Sequence, residues 1–137
     1  MRPLAEPACA VRRRVVVVDD EQDIRDLMLM WLQDDPRCLS VAEAADLGSA
    51  VELIARQRPD VVLLDFYLGH RVCAEALPDM RASAPDTTIV VYTASRRAAE
   101  AAGVLALGAD FVVEKGSVSV DDVVEMLLDE RVSRPVR

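Results

Sequence analysis

The chain has 137 residues, with 24 Asp or Glu, 16 Lys or Arg and one His, for a formal net charge of −8. That length suits one domain with its own core, and 52% hydrophobic with 29% charged residues excludes a disordered composition. The acidic balance argues against DNA, RNA and anionic membrane as direct partners, because phosphate backbones reward local positive charge.

The one basic cluster, Arg12-Arg13-Arg14, is too short for a nucleic-acid patch and reads as a solvated tail. Residues 1–14 lack an apolar signal-peptide core, so no export is expected. No apolar run approaches the roughly 20 residues of a membrane span. Cysteines at 9, 38 and 73 form neither a disulfide framework nor a zinc spacing, which fits a reduced, cytoplasmic compartment.

Val15-Val16-Val17-Val18 reads as a fully buried strand ending in Asp19-Asp20. From Gln22 the period changes: Ile24, Leu27, Met28, Trp31 and Leu32 make the apolar stripe of an amphipathic helix, with Met30 off it. Asp34-Asp35-Pro36 stops that helix. Leu39-Ser40-Val41-Ala42 reads as a half-exposed edge strand. Asp46 is the N-cap of a second helix with the apolar face Ala50, Val51, Leu53 and Ile54, broken at Arg58-Pro59-Asp60.

Val61-Val62-Leu63-Leu64 is the next buried strand, ending in Asp65. The helix after it either starts late, near Leu77, or bends at Pro78. Ile89-Val90-Val91-Tyr92 is a further strand, ending in Thr93. Residues 96–107 form a fourth, alanine-rich helix weakened by Gly103, with Gly108 as its C-cap. Phe111-Val112-Val113 is the last strand, with Lys115 two residues beyond. Ser117 or Ser119 caps a fifth helix that carries Val123, Val124, Met126, Leu127 and Leu128. Five strand–helix units in alternation predict an α/β domain with a parallel sheet and helices on both faces. The predicted boundaries are an N-terminal tail at 1–13, one domain at 14–130 and a C-terminal tail at 131–137.

Polar residues gather at one kind of place. Asp19 and Asp20, Asp65, Thr93 and Lys115 each follow a strand, and in a parallel sheet those ends share one edge. Open α/β sheets bind ligands there, at the point where strand order reverses. In a sheet of order 2-1-3-4-5 that crevice would bring Asp19, Asp20 and Asp65 together. Three close carboxylates repel one another, and a hard divalent ion such as Mg²⁺ relieves the repulsion. A carboxylate also attacks phosphorus to give an aspartyl phosphate. Mg²⁺, the Lys115 ammonium and the Thr93 hydroxyl would then stabilise the charge on the transferred group. Taken singly, each Asp is an ordinary turn or cap residue; the joint occurrence points to a site.

At these residues the chain resembles the receiver domain of two-component response regulators, over about residues 14–130. The matching motifs are Val15–Asp20, Pro59-Asp60-Val61-Val62-Leu63-Leu64-Asp65, Val91-Tyr92-Thr93-Ala94, and Gly108-Ala109-Asp110 running to Lys115. The resemblance implies a flavodoxin-like (βα)5 doubly wound parallel sheet of strand order 2-1-3-4-5. It implies Asp65 as the phosphoacceptor. Asp20, Asp65 and the backbone carbonyl of Tyr67 would hold Mg²⁺, with Asp19 supporting indirectly. Thr93 and Lys115 would contact the phosphoryl group. The donor would be a phosphohistidine on a sensor histidine kinase or phosphotransfer protein. The chain ends near the last helix, so it resembles a stand-alone receiver acting by protein–protein contact on an unknown downstream protein. The face from the fourth helix to the fifth is where such domains pair as homodimers.

The chain departs from the family at several positions. Gly69 and Cys73 stand where proline and glycine are usual, and Pro78 follows, so the loop after the third strand is remodelled. Val112 stands where the family has an aromatic switch residue. Its neighbour Phe111 points to the other face and does not substitute. Gly116 follows Lys115 where proline is common, so no cis peptide is expected there. Tyr67 and Ser95 occupy positions that tune phosphoryl loss in this family; Tyr67 either shields the acyl phosphate or is an exposed loop tyrosine. His70, in a Gly-flanked loop, reads as solvated.

Two other readings compete. A phosphohydrolase resembling the haloacid dehalogenase class would need a second Asp where Tyr67 stands, so a signalling domain rather than an enzyme is expected. A receiver-fold binding module that no longer switches would fit the altered loop and Val112.

Overall fold

Val15–Val18 becomes an inner strand because a β-branched run with no polar interruption suits a strand covered on both faces. The computed structural model describes residues 12–134. In it β1 (Arg13–Val18) lies between β2 (Cys38–Ala44) and β3 (Val61–Asp65). β4 (Thr88–Thr93) and β5 (Phe111–Glu114) complete a parallel sheet of order β2-β1-β3-β4-β5. This is the doubly wound 2-1-3-4-5 topology implied by the resemblance.

Alternation along the strands divides the core. Val16, Val18, Val62, Leu64, Val91 and Val112 face α2 (Leu47–Gln57), α3 (Leu77–Ser83), α4 (Arg96–Ala101) and α5 (Val104–Leu107). Val15, Val17, Val61, Leu63, Val90 and Tyr92 face α1 (Gln22–Gln33) and α6 (Val120–Leu128). Each fully buried Val or Leu contributes about 1.5–3 kcal/mol of transfer free energy. Phe111 packs on the α1/α6 side while Val112 packs on the other, as strand alternation requires.

The caps follow the sequence closely. Asp46 accepts from Ser49 N–H at 2.8 Å, and Ser119, not Ser117, caps α6. α3 starts at Leu77, with Pro78 in its first turn, where the missing N–H costs nothing. No cis peptide occurs among the described residues.

Four expectations are corrected. The single helix over 96–107 is two, because Gly103 adopts φ +72° and breaks it. Trp31 is not core. α1 buries Met28 and Leu32 of the expected stripe together with Arg25, half-buries Ile24 and Leu27, and leaves Trp31 42% exposed. Arg13 is no tail residue: it belongs to β1 and is 4% exposed. Its guanidinium donates to the carbonyls of Asp129 and Val132. The last described residues are not a free tail either. Arg134 N–H donates to Thr88 Oγ1 at 2.8 Å, and its guanidinium to Asp110 at 3.0 Å. Arg12 is exposed, and residues 1–11, including Cys9, and 135–137 lie outside the described residues.

Candidate functional site

Each strand delivers its polar residue to the same edge because the strands are parallel and in register. Val18 pairs with Leu64, and Asp65 with Tyr92. Asp19 and Asp20 therefore emerge beside Asp65, with ligand oxygens of all three within 4.8 Å of one another. Asp19 is buried and Asp20 exposed, while Asp65 is 6% exposed.

Among the described residues, Lys115 is the cation paired with these carboxylates. Its Nζ lies 3.2 Å from Asp65 Oδ1 and 3.8 Å from Asp19 Oδ2. It also sits 5.2 Å from the centre of the Tyr92 ring. Burial and the neighbouring Asp19 charge push the Asp65 carboxyl up to about 6, even with Lys115 pulling it down. The group of three acids and one ammonium carries excess negative charge in a partly dry setting. A hard divalent cation with oxygen preference suits that donor set.

Thr93 is fully buried at the end of β4. Its hydroxyl donates to Ser95 O and accepts from Ser95 N–H, both at 3.1 Å. Lys115 N–H donates to Thr93 O at 2.6 Å, so the backbone ties the two together. Sequence reasoning therefore named residues that the fold does bring to one place: Asp19, Asp20, Asp65, Thr93 and Lys115. Tyr67, two residues past Asp65, is 50% exposed, with its ring edge-on to Phe66 at 4.7 Å. His70 is exposed.

The loop after β3 is where sequence reasoning was least specific. It forms a small antiparallel hairpin, Tyr67–Leu68 with Arg71–Val72, turning at Gly69 with φ +63°. Only glycine adopts that conformation without strain. Gly69 N–H donates to Asp20 Oδ2 at 2.9 Å, which anchors the hairpin over the acidic group. A short 3₁₀ turn at Cys73–Glu75 follows, held by Cys73 N–H to Phe66 O at 2.8 Å. The Cys73 thiol is fully buried, and burial with the charge of Asp65 pushes it up to about 12.

Arg25 was missed. Its guanidinium donates to Asp19 O at 2.7 Å, Glu43 at 2.8 Å and Gln22 at 2.9 Å. It thereby holds the backbone that presents the acidic pair. The signal was available: the 25, 28, 32 spacing puts Arg25 above Met28 and Leu32 on the buried row.

Comparisons with known proteins agree with this geometry. Residues 15–128 match the family model described as response regulator receiver domain. A protein-glutamate methylesterase/protein-glutamine glutaminase of Symbiobacterium thermophilum is 33% identical over 122 residues, covering 88% of this chain and 34% of that protein. The chain thus spans about a third of the length of this curated relative. Among solved structures, the response regulator domain of Thermotoga maritima CheB superposes with a TM-score of 0.71 at 28% identity, covering 89% of this chain and 93% of that one. A two-component response regulator of the LuxR family from Aurantimonas superposes with a TM-score of 0.73 at 29% identity, covering 84% and 81%. No helix among the described residues is long and apolar enough to cross a membrane.

Proposed function

Because the chain belongs to the response regulator receiver domain family, we propose that it is a phosphorylation-controlled signalling module with Asp65 as its phosphoacceptor. The observation that carries this reading is the Asp19, Asp20 and Asp65 group with Lys115 Nζ at 3.2 Å from Asp65. The donor would be a phosphohistidine on a sensor histidine kinase or phosphotransfer protein in the cytoplasm. An Asp65 oxygen forms the new bond to phosphorus. The phosphorus–nitrogen bond breaks, its electron pair stays on the imidazole, and that nitrogen takes up a proton.

Asp20, Asp65 and the Tyr67 carbonyl would hold Mg²⁺, with Asp19 supporting, and the ion would offset the charge on the phosphoryl oxygens. Lys115, already beside Asp65, shifts its ion pair to the phosphoryl group. Thr93 contributes its hydroxyl once that group turns from Ser95. The raised Asp65 carboxyl matters here, because the cation and Lys115 together keep the nucleophile ionised. Output is a protein–protein contact that distinguishes the two states, since a partner with equal affinity for both transmits nothing. The face from α4 through β5 to α6 is the proposed surface for that contact and for any homodimer.

The test is intact-protein mass after incubation with acetyl phosphate and Mg²⁺. A phosphoryl adduct is expected on the wild type and none on Asp65→Asn. In the same protein, Mg²⁺ at a hundredfold excess over its dissociation constant stabilises the fold by about 2.7 kcal/mol. A module that no longer switches is the second reading, favoured by Val112 buried where an aromatic switch would stand. It predicts a partner whose affinity is the same for wild type and Asp65→Asn.

A further inference from the structure

Two charged side chains that the proposed chemistry does not use join the loop that follows Thr93 to the strand that leads into Lys115. Glu114 Oε1 accepts the backbone N–H of Arg96, the first residue of α4, at 2.8 Å. The Arg96 guanidinium reaches back to donate to the carbonyl of Val112, two residues before Glu114. Its other terminal nitrogen lies 3.6 Å from Glu100.

These bonds close a ring. Lys115 N–H bonds Thr93 O, the Thr93 hydroxyl bonds Ser95, Ser95 leads into Arg96, and Arg96 N–H bonds Glu114, the neighbour of Lys115. The β4–β5 ladder ends at the Thr93–Glu114 pair. Beyond it, the separation between the Thr93 loop and the Lys115 backbone depends on this ring. Arg96 N–H lies in a first helical turn and has no acceptor within the helix, so Glu114 supplies one. The guanidinium bond to Val112 O is charge-assisted and stronger than a neutral one. Glu114 thus reaches α4 while its neighbour Lys115 reaches Asp65.

We infer that Glu114 and Arg96 are positioning residues that set where the Thr93 hydroxyl and the Lys115 ammonium stand relative to Asp65. The inference rests on the proposed function and adds two residues that would touch neither phosphoryl group nor metal. It also separates two kinds of role. The acidic group that would hold the cation is built from β1 and β3, and the ring is built from β4, α4 and β5. Breaking the ring is therefore expected to slow phosphoryl chemistry while leaving every ligand of the cation in place.

The experiment compares the wild type with Glu114→Ala, Glu114→Gln and Arg96→Ala. It follows phosphoryl uptake from acetyl phosphate by intact mass, Mg²⁺ affinity by calorimetry, and melting temperature. Glu114→Ala is expected to slow uptake roughly 3- to 30-fold, as small misplacements of reacting groups do. Glu114→Gln, which keeps an acceptor oxygen, is expected to restore uptake to within about twofold, and Arg96→Ala to fall between them. Mg²⁺ affinity is expected to stay within about twofold in all three. Wild-type uptake in Glu114→Ala overturns the inference, and so does equal slowing by Ala and Gln. A parallel loss of Mg²⁺ affinity overturns it too, because that marks general loosening. An unmodified wild type overturns the proposed function and this inference with it.

Discussion

The two ends of the sheet handle charge in opposite ways. At the base, where the strands begin, the buried charges of Asp110 and Arg13 are both hydrogen-bonded, and Asp110 is also ion-paired. Asp110 accepts from Arg81 at 2.8 Å, Arg134 at 3.0 Å and Ile89 N–H at 2.9 Å. Arg81 also donates to the carbonyls of Gly108, Ala84 and Thr87. Arg13 spans to the carbonyls of Asp129 and Val132. At the top, where the strands end, Asp19, Asp20 and Asp65 face the single ammonium of Lys115. Buried charges are retained when paired and hydrogen-bonded. Around Asp110 the base follows that rule, and the top breaks it in a way a cation and a phosphoryl group would repair.

The sharpest way to break this contrast is to remove the hub of the base. Asp110→Ala leaves the guanidiniums of Arg81 and Arg134 without their shared carboxylate in a largely buried setting. Losing one partner of such a network costs about 3–5 kcal/mol, read as a lower midpoint in urea unfolding at unchanged slope. A loss below about 1 kcal/mol would mean the base is no more structural than an ordinary surface ion pair.

The top predicts the opposite sign. The Asp65 carboxyl is raised from 3.8 to about 6 in the metal-free fold. The folded state therefore binds more protons than the unfolded chain between those values. That contribution is fully present below about pH 4 and is lost as pH rises through about 6. At pH 7 the ionised Asp65 strains the fold, so Asp65→Asn stabilises the metal-free protein on the order of 2 kcal/mol. Loss of the Lys115 pair is included in that figure. Urea unfolding in chelator at pH 7 and at pH 4 checks it: the gain shrinks at the lower pH. A destabilised Asp65→Asn at pH 7 would place the site with the base, as structure rather than function.

The same contrast explains what was legible in the sequence. Strands read clearly because Val15–Val18, Val61–Leu64 and Ile89–Tyr92 are apolar runs wrapped on both faces. Their polar terminal residues stand out for the same reason, so Asp19, Asp20, Asp65, Thr93 and Lys115 were nameable before any fold was known. The base was not legible. Arg13 and Arg134 lie in stretches whose charge reads as solvent-facing, and only the meeting of Arg134 with Thr88 and Asp110 shows otherwise. Trp31 misled because it fits the same helical stripe as Ile24, Leu27, Met28 and Leu32, of which the fold fully buries only Met28 and Leu32. The spacing of Arg25 above Met28 and Leu32 marks it as buried, but its partner there, Asp19 O, is set by the fold. The hairpin at 67–72 depends on the Gly69 bond to Asp20, again a long-range contact.

Tyr67 gives the finest version of the comparison. Its side chain stands at the top, half exposed, with Phe66 as its ring contact at 4.7 Å. Cutting it to alanine removes little buried area, so Tyr67→Ala is expected to change stability by no more than about 0.5 kcal/mol, as surface substitutions do. It lies two residues past Asp65, on the hairpin tied to Asp20, a position that by the family resemblance tunes loss of the phosphoryl group to water. Tyr67→Ala is therefore expected to shorten the lifetime of the adduct a few-fold, on the order of 1 kcal/mol of barrier, followed as decay of the phosphorylated mass after donor removal. An unchanged lifetime would make Tyr67 an exposed loop tyrosine with no part in the chemistry. A changed stability with an unchanged lifetime would move it to the other side of the contrast, among residues that hold the fold.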